Sequence, residues 1–87
     1  MKNKVKKYLK NLYQTKQTQK IRALANHPDL NEDEKWLIIY TFAEDRMVAN
    51  TANKLNVSER KFYNIQDSAL IKLYYITVSY THLRAHE

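Results

Sequence analysis

Arg60, Tyr63, Asn64 and Asp67 are spaced by three and four residues, so on a helix of 3.6 residues per turn they share one face, roughly opposite Phe62, Ile65 and Ala69. The chemistry of that face is recognition. An arginine forks to the acceptors of guanine, and an asparagine pairs bidentately with adenine. Ser58, just before the run, is a helix cap whose neighbouring backbone amides can hold a phosphate. A plain solvated helix face is the other reading of the same residues. Lys2, Lys4, Lys6, Lys7, Lys10, Lys16 and Lys20 form a second group, suited to phosphate contacts or simply to a solvated surface. Tyr8, Tyr13, Trp36 and Tyr40 have rings that can stack on bases, but at helical spacing such rings are expected mainly in the core.

Catalytic groups are sparse. His82 and His86 lie near the end of the chain, and His27 sits alone beside Pro28, which fits a loop residue better than a base or a ligand. Glu32, Asp33 and Glu34 have the placement of helix-start charges, while Glu44 and Asp45 are adjacent and would not face each other on a helix. The chain has no Cys, so thiolate metal sites and disulfides are excluded, and no Gly, so phosphate-cradling loops are not expected. The expectation is a protein that is not an enzyme and uses no cofactor or metal.

The elements that must position the recognition face follow from periodicity. Val5, Tyr8, Leu9, Leu12 and Tyr13 mark a first, basic helix, which either continues through the polar run Gln14–Lys20 to about Asn26 or breaks once; Asn26–Asp29, with its proline, is a loop. Asn31 and Glu34 have capping-box spacing, opening a second helix that runs to about Ala43. Its run Trp36–Phe42 is apolar nearly all round, as in a helix sandwiched between others. A short third helix, Val48–Leu55, turns Val48, Ala52 and Leu55 inward. Asn56 then supplies the left-handed residue of a chain reversal. Ser58 caps a fourth helix reaching about Tyr74, with Phe62, Ile65, Ala69 and Leu73 inward. From Ile76 the helical period is lost. Val78–Glu87 reads like translated sequencing-adapter read-through, so 76–87 is expected to be disordered and is set apart as a candidate non-native tail.

Fifteen Lys plus Arg against nine Asp plus Glu give a formal charge of +6, which favours a polyanionic partner. No apolar run approaches the length needed to span a bilayer, and the N-terminus lacks the apolar core of a signal peptide, so a cytoplasmic location is expected and no membrane partner. A chain of 87 residues holds one modest core.

From Leu30 to Tyr74 the residue order resembles region 4 of bacterial sigma factors without a gap: Leu30, acids at Glu32 and Glu34, an apolar helix, then Val48, Ala52, Leu55, Val57, Ser58, Phe62, Ile65, Ala69, Leu70, Lys72 and Leu73. The family pattern carries Gly where Asp45 and Asn56 stand, a Ser or Thr cap where Met47 stands, and a basic-acidic order where this chain has Glu59 then Arg60. The resemblance implies an all-α fold with a helix-turn-helix domain over 30–75; with the basic N-terminal helix that periodicity gives over 1–27, the expected architecture is a small helical domain with a C-terminal helix-turn-helix preceded by a long basic helix. It implies a positioning helix at Val48–Leu55 and a recognition helix from Ser58 to about Ser68. Ser58, Glu59, Arg60, Lys61, Tyr63, Asn64 and Asp67 would face double-stranded DNA. It also implies a transcription regulator like the compact sigma-like activators of phages and mobile elements, with RNA polymerase as a second partner. The alternatives are a DNA-recognition subunit of a phage packaging enzyme and a helical module that docks on RNA polymerase.

Overall fold

The computed structural model describes the backbone of residues 2–86 and the side chains of 2–77. All the regular structure among them is helical: α1 (Lys2–Gln14), α2 (Thr18–Ala25), α3 (Glu32–Ile38, continued by a wide turn Ile39–Ala43), α4 (Val48–Leu55) and α5 (Glu59–His86).

The long basic N-terminal helix is two helices. α1 ends in a paired closing motif in which the Lys16 amide donates to the Tyr13 carbonyl (3.1 Å) and the Gln17 amide to the Leu12 carbonyl (2.7 Å). That geometry requires a left-handed residue, and Lys16 takes it at φ 61°. The Thr15 hydroxyl donates back to the Asn11 carbonyl at 2.9 Å, satisfying another helix-end acceptor. α2 then turns Ile21 and Ala25 into the same core as Val5, Leu9 and Leu12 of α1.

α3 begins on a complete capping box. The Asn31 side chain accepts from the Glu34 amide and the Glu34 carboxylate accepts from the Asn31 amide, both at 2.9 Å. Its end widens, with the Glu44 amide donating to the Ile39 carbonyl five residues back and Asp45 closing the turn at φ 54°.

The helix is not buried all round. Leu37, Ile38, Ile39 and Phe42 are buried, but Trp36 is 36% exposed and stacks on a half-buried Tyr40 (ring centroids 5.6 Å apart). Both rings have polar tips and cationic neighbours, so the surface suits them. The Trp36 indole N–H donates to Glu32, Lys35 lies over its ring, and Arg46 and Lys54 lie over Tyr40. Tyr8 and Tyr13 are likewise exposed rather than in the core. Val5, Leu9 and Leu12 already fill the narrow inward stripe of α1, and the tyrosines fall on its two edges.

One core joins all five helices, centred on Leu9, Ile21, Leu37, Ile38, Phe62, Leu70 and Leu73. The 28 residues of α5, at about 1.5 Å each, account for the 44 Å long axis of the molecule. Its backbone passes the expected end near Tyr74 and is helical to His86; the disordered tail expected over 76–87 lies, beyond Thr77, outside the residues whose side chains are described. No helix among the described residues is long and apolar enough to cross a membrane.

Candidate nucleic-acid interface

The surface that could read a duplex is built by α4, the turn 56–58 and the first turns of α5. α4 closes with the same motif as α1. Asn56 is left-handed (φ 59°, ψ 45°), its amide donates to Asn53, and the Val57 amide donates to Ala52 at 3.0 Å. Val57 packs against the core, which fixes the direction in which the chain leaves α4. Ser58 then caps α5, its hydroxyl accepting from the Lys61 amide at 3.2 Å.

The rotation of α5 about its own axis is set by two devices. One is apolar: Phe62, Ala69, Leu70 and Leu73 are buried, with Ile65 partly so. The other is polar and was not anticipated from the sequence. Glu34 of α3, 2% exposed, accepts from the Ser68 hydroxyl at 2.5 Å and from the Lys72 ammonium at 2.8 Å, while its own capping bond to Asn31 persists. Burial raises the Glu34 pKa, but the hydrogen bonds from Lys72, Ser68 and the Asn31 amide, with the Lys72 charge, outweigh it and hold the carboxyl below its ordinary 4.5. A clue was present: Ser68 and Lys72 are four apart, on one side of a helix.

With that rotation, every residue proposed for the site is exposed: Ser58, Glu59, Arg60, Lys61, Tyr63, Asn64 and Asp67. Tyr63 packs edge-on against Phe62 (5.3 Å) while leaving half its surface free. Asp67 is paired with Lys2 at 3.3 Å, so the start of α1 abuts the far end of this face. Glu59 and Asp67 balance Arg60 and Lys61, leaving the segment without net charge.

The start of α4 departs from good helix chemistry at its cap. Met47, at the cap position, makes no side-chain bond to the helix and is 79% exposed. Arg46 beside it is held by Glu44 (2.7 Å) and Asn50 (3.0 Å). His27 sits in the loop before α3, its Nδ1 accepting the Asp29 amide at 3.1 Å. No group of three or more His, Cys, Asp or Glu among the described residues is placed to hold a metal ion.

These features define the chain as a small all-helical protein with an exposed polar face on its last helix. No family model, no curated protein and no solved structure matches it.

Proposed function

We propose that the protein is a sequence-specific DNA-binding regulator of transcription, with α4 and α5 acting as a helix-turn-helix and the first turns of α5 entering the major groove. The observation that carries this reading is the exposed face Arg60–Tyr63–Asn64. It is opposite a fully buried Phe62, at the capped start of a helix whose rotation is fixed by Glu34. Rigid presentation matters because a bidentate contact tolerates little displacement.

The backbone supports the likeness to sigma region 4 at the places where the residues differ. Asp45 and Asn56, which stand where that family has Gly, are both left-handed, the conformation glycine enters without cost. Met47, standing where the family has a Ser or Thr cap, occupies the cap of α4. These backbone conformations support the resemblance at positions where the side chains depart from the family pattern.

Selection of binding duplexes from a randomised pool tests the reading. The expected result is enrichment of a defined motif by the full chain; binding without enrichment would contradict it. A second reading, a helical module that docks on RNA polymerase, is favoured by the exposed Trp36–Tyr40 stack, since large aromatics are enriched at protein interfaces. Transcription in vitro, with and without the selected motif in the promoter, separates a promoter regulator from a DNA-recognition subunit of a packaging enzyme.

A further inference from the structure

The reading segment has no net charge, so attraction to a polyanion must come from elsewhere. The charge is segregated. Residues 1–28 contain eight Lys and Arg and no acid, whereas in the rest of the chain nine acids outnumber seven basic residues. Residues 1–28, with a charge of +8, therefore exceed the net charge of +6 of the whole protein.

The fold brings part of that charge to the reading face. Lys2 reaches Asp67 at 3.3 Å, and Asp67 is seven residues along α5 from Arg60, about 10 Å at 1.5 Å per residue. A major groove is about 12 Å wide. When Arg60 and Asn64 stand at base edges, Lys2 therefore falls at the groove wall, where the phosphates are. Lys6 and Lys10 continue the row from Lys2 at intervals of four, turning outward by about 40° per step. Neither makes an ion pair among the described residues.

We infer that the Lys2–Lys6–Lys10 flank of α1 is a second arm of the interface, gripping the DNA backbone beside the groove that α5 reads. This rests on the DNA-binding reading above and adds the source of its affinity. An anionic membrane is the less suitable occupant. A helix lying in a lipid interface needs a free apolar face, and that of α1, Val5, Leu9 and Leu12, is spent in the core.

The test uses the full chain, with Lys6→Gln/Lys10→Gln and a charge-keeping Lys6→Arg/Lys10→Arg control, both checked for unaltered thermal melting. Affinities for the selected duplex and an unrelated duplex are measured between about 50 and 200 mM salt. Loss of two phosphate contacts should reduce the salt slope by about 1.8 and weaken both duplexes alike, by up to about thirtyfold at 0.15 M. The arginine control should keep the wild-type slope. An unchanged slope in the glutamine variant, with motif selection intact, overturns the inference and leaves the reading by α5 standing. A lowered slope in a protein that selects no motif refutes the reading by α5 and keeps the α1 grip. Vesicles of neutral lipid with a quarter phosphatidylglycerol form the last arm. Binding to them as tight as to duplex, and lost in the glutamine variant, would make lipid the occupant and overturn the proposal.

Discussion

Removing the Glu34 carboxylate should destabilise the protein more than any other single polar substitution, because this side chain closes a helix start and ties two helices together. Glu34→Ala removes the acceptor of three groups at once: the Asn31 amide, the Ser68 hydroxyl and the Lys72 ammonium. Deleting one member of a buried ion pair costs about 3–5 kcal/mol. Here Lys72 is 39% exposed and regains water, which lowers that figure. Loss of the cap adds back about 1 kcal/mol, so the expected total is about 2–4 kcal/mol. Glu34→Gln keeps one acceptor oxygen, for the Asn31 amide, but puts an NH2 donor where the second oxygen accepts from the Ser68 hydroxyl and removes the charge that faces Lys72, for about 1–2 kcal/mol. The pH dependence carries the same signature. A carboxyl held lower in the folded state than its unfolded 4.5 contributes stability that is fully present above pH 4.5 and is lost as pH falls through the folded pKa. Urea denaturation followed by circular dichroism, at neutral pH and across the acid range, measures both effects. A Glu34→Ala cost below about 1 kcal/mol, or wild type and Glu34→Gln with the same acid dependence, would refute the reasoning.

Other substitutions separate the core from the surface and the strained positions from the relaxed ones. Phe62→Ala should cost about 3–5 kcal/mol in thermal or urea unfolding, as for a buried aromatic, whereas Trp36→Ala, a surface residue, should cost under about 1.5 kcal/mol. Met47→Thr should stabilise α4 by about 1 kcal/mol by supplying the missing cap. Lys16→Gly should raise stability by about 1 kcal/mol by relieving the left-handed lysine; a loss in either variant would show that the end in question is held by something else.

The parts of this fold legible in the sequence are those where a residue's local chemistry, a capping side chain or a tolerated left-handed backbone, marks a helix end. Asn31 with Glu34, Asn56 at the reversal and Ser58 at the cap each announce a helix boundary through local chemistry, and each boundary stands where that chemistry puts it. The sequence leaves the break after α1 as one of two alternatives, because Lys16 is no helix breaker. Only the bonds of Lys16 and Gln17 back to Tyr13 and Leu12 impose its left-handed turn. Apolar content misled at Trp36, Tyr8 and Tyr13, since a period of 3.6 places a ring on a stripe but does not say how wide a stripe the neighbouring helices cover. The exposed face of α5 was readable from spacing alone. Its tether to α3 was not, because Glu34 lies 34 residues from Ser68 and 38 from Lys72. The meeting of Lys2 with Asp67 was hidden for the same reason.

Repeating the duplex selection with Arg60→Ala and Asn64→Ala tests the central claim most directly. Each variant should lose preference at one or two positions of the wild-type motif and bind that motif more weakly by about 1–3 kcal/mol, with affinity for unrelated duplex nearly unchanged. Variants that enrich the same motif with the same affinity as wild type would contradict the assignment of the α5 face as the part that reads DNA.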